Sequence, residues 1–438
     1  MSETPADTLS ETVYSALYDD DEARVCKDVP ESACQHQPRN WVFSTLSLSL
    51  TKTGDALVDP KLTLTWLLGA LGAPAFLVGL LAPVREAGAL LPQLFIATAI
   101  RQREKRKYVW AAGSVGQALA LVIMGVIALT LEGALAGWLL IAMVALFATA
   151  RSLCSVSHKD VLGKTVSKTR RGAVSGYATT ISGLVALVFG GLLVVSPDTG
   201  APVIAGLLFL GAALWVTAAF IYLQLAEAPG STEGGANAFP EAVKQIRLLW
   251  TDRDFGQFVA ARTLMIATSI APPFLVSAAQ NRTGAELAGL GGFLVASASA
   301  GFVSGWAWGR LADKSSRWVL AAGGLAGAAA CLASGASLLM DAPWSELMIF
   351  HAGVLFVLAF GHQGVRLGRS TYLVDLADED TRASYTAVSN TVIGVLLLVY
   401  GLIMGGLYQL SGPWVMIGLA VSALAGAALA VSLKPVSG

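Results

Sequence analysis

Charge is what this sequence lacks most. Only 13% of its 438 residues are Asp, Glu, Lys or Arg, against about 25% in an ordinary soluble domain. Hydrophobic residues make up 55%, and the mean hydropathy is +0.65. A soluble globule of this size needs a charged exterior, and 29 basic and 29 acidic residues, many of them clustered, do not supply one. The strict alternation of apolar and polar residues that marks a β-barrel is also missing. There is no Walker-type Gly-x-x-x-x-Gly-Lys-Ser/Thr loop, so no intrinsic ATPase is indicated. Nothing resembles a Ser-His-Asp or metal-hydrolase cluster, so no enzyme, cofactor or nucleic-acid partner is expected. Residues 1–39 are polar and acidic, densest at Asp19–Glu22, where a signal peptide would be basic and then apolar; an attached cytosolic tail is expected. Cysteine is scarce. Cys26, Cys34, Cys154 and Cys331 suggest no disulfide framework, and Cys26, Cys34 and His36 match no standard zinc spacing.

What the sequence has instead is apolar runs of about twenty residues or more, rich in Gly, Ala, Leu and Val. Each is long enough to cross a hydrocarbon core about 30 Å thick, and small residues let neighbouring membrane helices approach closely. Twelve spans are expected, at 41–68, 73–100, 108–131, 134–156, 172–195, 203–225, 254–279, 286–309, 318–340, 345–375, 386–409 and 413–433. Cutting 41–84 into two helices at Asp59-Pro60 is the alternative. The Pro272-Pro273 pair predicts a kink in the seventh span, because it deletes two backbone donors. Residues 226–253 form the longest break: a Gly/Ser/Thr-rich linker, then a short amphipathic segment at 239–250 suited to the membrane surface. The expected organisation is therefore a tail (1–39), a first six-helix bundle (40–225), a linker (226–253) and a second bundle (254–438). Lys and Arg concentrate in the loops after the second, fourth, sixth and eighth spans. The positive-inside rule then puts those loops and both termini in the cytosol.

The two halves look related. At an offset of about 211 residues, Arg106 falls on Arg317 and Arg171 on Arg382. Gly309-Arg-Leu-Ala-Asp313-Lys-Ser-Ser-Arg317 resembles the G-x-L-A-D-x-x-G-R loop of the major facilitator superfamily, with Ser316 where that family usually has Gly. The first-half counterpart, Thr98 to Arg106, lacks the Gly and has Gln102 for the Asp. The helix count, the long central loop and the half repeat extend the resemblance over residues 40 to 434. The cluster Asp55, Arg85-Glu86 and Gln93, with the Cys26–Cys34 tail, is similar to an uncharacterised bacterial branch of that superfamily. The resemblance implies an all-α membrane protein of two pseudo-symmetric bundles, in a cell inner membrane, moving a small solute by alternating access with protons as the coupling ion. A monomer is the expected state. A transport-inactive receptor or regulator, and a drug or lipid exporter, are the rival readings. By the family's pattern Gly309, Asp313 and Arg317 form a gate loop that meets the start of the fifth span at Arg171, with Arg382 as its pseudo-equivalent.

Ionisable residues inside the spans are costly and usually face a cavity or a partner. Lys52, Asp55 and Asp59 follow at i, i+3 and i+7 in the first span and share a face. Asp55 lies about 21 Å along the helix from Trp41, near mid-span. Glu86 is similarly central in the second, with Gln93 two turns on. Asp55 and Glu86 are therefore the candidates for proton exchange, the alternative being static Lys52–Asp55 and Arg85–Glu86 pairs. The family's cavity-lining helices add Arg151, Arg262, His362, Arg366 and Arg369. With Lys52 and Arg85 this set is mostly cationic and suits an organic anion. Arg151, Arg366 and Arg369 could instead snorkel from the helix ends to water.

Overall fold

The computed structural model describes residues 5–18, 34–195, 200–232, 243, 245–284, 287–312, 314–378 and 381–436. A helix in the tail, α1 (Pro5–Leu17), precedes the first span, which is interrupted: α2 (Gln37–Leu57), an unwound turn, then α3 (Thr63–Ala70). The second span is α4 (Val78–Leu90) followed by α5 (Gln93–Arg101). Then come α6 (Lys107–Thr130), α7 (Gly133–Thr165), α8 (Lys168–Val195) and α9 (Ala201–Leu223). A short α10 (Leu248–Thr251) ends the linker. The second half is α11 (Arg253–Leu264), α12 (Ile266–Thr283), α13 (Leu287–Ala312), α14 (Ser316–Leu339), α15 (Met348–Leu376), α16 (Arg382–Leu410) and α17 (Gly412–Val431).

Among the described residues, eleven segments are long and apolar enough to cross a membrane, α11 and α12 counting as one. The interrupted first span stands apart because its sequence, Ser-Leu-Ser-Leu-Thr-Lys-Thr-Gly-Asp, is too polar to register. Polar residues there cost less than against lipid because the helix is packed inside protein, with Ser44, Ser47, Ser49 and Thr51 all buried.

The first and seventh spans are interrupted. The first span breaks at the Asp59-Pro60 alternative cut, but both pieces stay in one crossing. Pro60 has no N–H to continue the helix. The carbonyls freed by the break are taken up locally: Thr63 Oγ1 donates to Leu57 O (2.7 Å), Thr65 Oγ1 to Pro60 O (2.9 Å), and the Leu64 N–H to Asp59 O (3.2 Å). Irregular backbone at membrane depth survives only when so satisfied. Thr63→Val should leave the Leu57 carbonyl unpaired and cost about 1–3 kcal/mol. A thermal-unfolding midpoint in detergent unchanged from wild type would contradict this. In the seventh span the discontinuity falls at Met265, between α11 and α12, and the Pro272-Pro273 pair sits inside a continuous α12. Both prolines are fully packed, and the surrounding buried Phe274, Leu275 and Val276 hold the segment.

Within the first half, α6 packs on α7 and α9, and α2 on α8 and α9; within the second, α14 packs on α15 and α17. Between the halves, α12 touches α3 and α4, but they meet most extensively along two pairs, α8 with α13 and α4 with α16. These pairs exchange under the half repeat: the fifth span meets the eighth, and the eleventh meets the second. Close approach is concentrated on the side of the molecule away from the termini. There a Cβ on Gly291 would lie 2.6 Å from Gly190 O, and one on Gly79 2.7 Å from Gly401 O. Gln280 Nε2 donates to Trp66 O (3.1 Å), and Trp66 meets Phe293 edge-on (6.3 Å). Towards the termini, a side chain at Gly172, Gly176, Gly301, Gly305 or Gly309 would meet open space. The tightest glycine contacts between the bundles thus lie on the far side.

The tail is more than a solvated extension. Tyr14 and Tyr18 of the α1 region pack edge-on to Trp41, which packs on Tyr177 of α8. Gln37 donates to the Tyr14 hydroxyl (2.9 Å), Arg39 pairs with Asp7 (3.0 Å), and Arg170 stacks over the Tyr18 ring. Cys34 is disulfide-bonded, its partner lying outside the described residues, as do Cys26 and Asp19–Glu22. This departs from the reading of the cysteines as unpaired, because sequence spacing does not reveal the Cα separation on which a bridge depends. Cys154 and Cys331 are free and buried in helices, as expected of small hydrophobes.

Candidate functional site

A cavity of about 500 Å³ lies between the bundles, lined by residues of both. Its wall is charged. Six cations, Lys61, Arg85, Arg151, Arg262, Arg366 and Arg369, face three carboxylates, Asp55, Asp59 and Glu86, with His362 and Gln93 among them. Such a density of charge at membrane depth is tolerated only around water or a partner.

The charges are organised by the helix breaks. Asp55, one turn before the break, receives Arg85 of α4 (3.2 Å) and Arg151 of α7 on separate carboxylate oxygens. Both guanidiniums also rest on aromatic faces, Arg85 on Phe147 and Arg151 on Trp215. Glu86 pairs with Lys61 (3.4 Å), which also reaches Ser269 Oγ of α12 (3.4 Å) and so touches the opposite bundle. Arg262 of α11, 7% exposed, donates to Ser389 Oγ (2.5 Å) and Asn390 Oδ1 (3.0 Å) of α16. His362 of α15 shares a hydrogen bond with Thr268 Oγ1 (3.1 Å). Arg366 is exposed to the cavity and, among the described residues, reaches only Gln363 Oε1 at 3.5 Å.

Of the sequence-derived candidates, Asp55, Arg85, Glu86, Gln93, Arg151, Arg262, His362, Arg366 and Arg369 all line this one cavity. Lys52 does not. Its ammonium turns to α8 and donates to Thr179 Oγ1 (2.5 Å). The alternative static pairs, Lys52–Asp55 and Arg85–Glu86, are replaced by Arg85–Asp55–Arg151 and Lys61–Glu86. Adjacent residues such as Arg85 and Glu86 point about 100° apart on a helix, so they reach different neighbours. Arg151 does not snorkel to the helix end, because Asp55 holds it.

Lys61, Ser269 and Asn390 were not singled out by sequence. Lys61 lies off the face shared by Asp55 and Asp59 in a continuous helix, and only the unwound turn aims it inward. The break itself was the available signal.

Asp313 lies outside the described residues. The other gate candidates can be placed. Arg171 donates to Gly163 O (2.7 Å) and Val166 O (2.8 Å) at the end of α7, and Arg382 reaches Ala377 O (3.5 Å) at the end of α15. Each cation therefore sits on the carbonyls of the preceding helix's C-terminus, the favourable pole of that dipole. Val166 and Ala377 stand in the same 211-residue relation as Arg171 and Arg382. Arg317 donates to Leu433 O (2.9 Å). Its pseudo-equivalent Arg106 pairs with Asp160 and donates to Ser231 O (2.9 Å). The buried Glu227, at the start of the linker, accepts the N–H groups of Arg106 (2.9 Å) and Lys107 (2.8 Å) and pairs with Lys164 (3.2 Å). That network ties both basic loops of the first half to the linker, and no sequence pattern announced it.

The sequence matches no protein-family model and no curated protein. The fold does match solved structures. A POT family transporter in complex with a thioalcohol-conjugated peptide aligns over 93% of this chain and 98% of its own, with a TM-score of 0.68 and 13% identity. The nucleoside transporter NupG aligns over 90% and 97%, with a TM-score of 0.65 and 11% identity. The inward-open xylose transporter XylE from E. coli aligns over 91% and 96%, with a TM-score of 0.65 and 10% identity. This chain is accordingly a multi-pass membrane protein with the major facilitator fold.

Proposed function

We propose that the protein is a secondary transporter of a small organic anion, working by alternating access and coupled to protons. The observation that carries this reading is the cation-rich cavity between two bundles whose tightest glycine contacts lie on the side away from the termini. Its fold neighbours are named as a POT family transporter, a nucleoside transporter and a xylose transporter, which supports solute transport on this architecture. The charge asymmetry of the loops supports a cytosolic terminal side, and with the tight contacts on the far side it supports an inward-open state; the inner membrane of a bacterium-like cell is the location proposed.

A chemical cycle follows from the Asp55 bridge. A solute carboxylate is drawn into the cavity by its arginines, since each guanidinium is a fork suited to a carboxylate. Protonation of Asp55 removes the negative charge that offsets Arg85 and Arg151, and the stronger positive field of the cavity then links proton and anion binding. Glu86 and Lys61 form the second exchangeable pair, and Lys61 already contacts the opposite bundle through Ser269.

Solid-supported membrane recording on proteoliposomes, with organic anions, cations, sugars and drugs, tests this. A proton-linked current with anions alone, lost in Glu86→Gln, is the expected result. Anion currents whose proton coupling survives both Glu86→Gln and Asp55→Asn would reject coupling through these carboxylates.

The gate reading gives a smaller prediction. Asp313, acting on the α8 start near Arg171, is expected to hold the cytosolic side shut in the outward-facing state. Asp313→Asn should shift the balance towards inward-facing by about fivefold, for an interaction of about 1 kcal/mol. Cysteine-accessibility labelling on the cytosolic side reads that balance, and unchanged labelling contradicts the latch.

A further inference from the structure

We propose, building on the transport reading above, that the solute is a zwitterion: its acid seats on Arg366 and Arg369 of the second bundle and its amine on Asp59 of the first. The argument is one of leftover charge. Arg85 and Arg151 share Asp55, Lys61 holds Glu86, and Arg262 is bound by Ser389 and Asn390. Arg366 and Arg369 form no ion pair with a carboxylate among the described residues, Glu86 acting on Arg369 only at longer range. Asp59 likewise forms no ion pair among them: it accepts the backbone N–H of Lys61 (2.6 Å), and the cations that act on its charge, Lys61 and Arg85, are held by Glu86 and Asp55. The cavity thus presents unpaired charges of both signs, the negative one on the first bundle and the positive ones on the second.

A simple anion complements one bundle and leaves Asp59 unpaired. A solute carrying both charges complements the two bundles at once and draws them together, which is the motion that alternating access requires. The geometry between the poles is continuous. Gln363 lies one turn from Arg366, contacts it, and lines a second cavity of about 490 Å³ that Asp59 shares. This second cavity opens between α8 and α13, and its wall mixes the hydroxyls of Thr179, Thr180, Ser182, Ser297 and Ser304 with apolar residues such as Leu62, Leu294 and Phe302. Among the described residues, Asp59 is its one charged wall residue. Whatever projects past the amine therefore meets a neutral surface, so an uncharged substituent fits there.

The test uses the full chain in detergent, titrated with ω-amino acids of three to six carbons and with the monocarboxylates of the same lengths. Thermal stabilisation and intrinsic tryptophan fluorescence report binding. Wild type should bind the best amino acid about tenfold more tightly than its matched carboxylate, as an added charge-assisted hydrogen bond provides. Asp59→Asn should erase that preference while leaving carboxylate affinity nearly unchanged, and Asp59→Glu should restore part of it. Carboxylates binding as well as amino acids would overturn the zwitterion inference and leave anion transport standing. An amino-acid preference that persists in Asp59→Asn would overturn the assignment of the amine to Asp59. Binding of neither series to folded wild type would count against the anion reading and this inference together.

Discussion

Asp55→Ala is expected to abolish transport and to weaken the fold at the same time. Asp55 holds two guanidiniums, Arg85 from α4 and Arg151 from α7, against the first span. Without it, two like charges face each other in a cavity of low polarisability. Removing one partner of a dry buried pair costs about 3–5 kcal/mol. The Asp55 side chain is 22% exposed, so cavity water reduces this to about 2 kcal/mol. The thermal-unfolding midpoint should fall, and flux should drop on the order of a hundredfold. The decisive comparison is the double substitution with Arg151→Gln. If the bridge is what matters, the second change should recover part of the stability but none of the flux. Wild-type stability in the single variant would mean the bridge contributes nothing to folding. Wild-type flux would remove Asp55 from the transport cycle.

The second large effect concerns the closed face. A Cβ at Gly401 would run into Pro83 and lie 2.6 Å from Gly79 O. Gly401→Leu therefore prevents α16 from closing on α4 where the two helices now touch. The cost of such overpacking is about 1–3 kcal/mol. Because it falls only on the state with the far side shut, it acts as a population shift of about 5- to 150-fold away from that state. Labelling of cysteines placed at the far side should rise accordingly, labelling from the terminal side should fall, and transport should slow because the cycle lacks one end state. An equally large loss of stability with no change in labelling would mean that the glycine serves packing in both states alike. The same logic holds for Gly291 against Gly190, where the closeness is to backbone atoms that no rotamer change relieves.

Arg262 marks the boundary between what one element says and what two elements decide. From the sequence it is an intramembrane cation on a cavity-lining helix. In the structure it is a clamp between α11 and α16, its two terminal nitrogens donating to Ser389 and Asn390 of its own bundle. Lys52 shows the converse. Its i, i+3 relation to Asp55 suggested a shared face, but a long flexible side chain reaches the nearest hydroxyl, here Thr179 of α8, and leaves the cavity wall. Glu227 and Asp160, which pin the basic loops, sit among residues that read as ordinary loop and helix-end charges.

The sequence by itself determined the membrane class, the run of spans, the half repeat with Arg171 and Arg382 in equivalent places, and the identity of most charges that line the cavity. These are legible because burying a charge or exposing an apolar run in lipid is so costly that composition and spacing must reveal it. The tertiary structure alone decided which charges are partners, which of Lys52 and Lys61 enters the cavity, and which side of the molecule is shut. Ion pairing depends on the angle at which separate helices meet, and the turn unwound at Pro60 resets the helical register that a periodicity argument assumes. The conformation depends on a few glycine contacts between bundles whose strengths differ little between the two states of the cycle, a balance that no local pattern encodes.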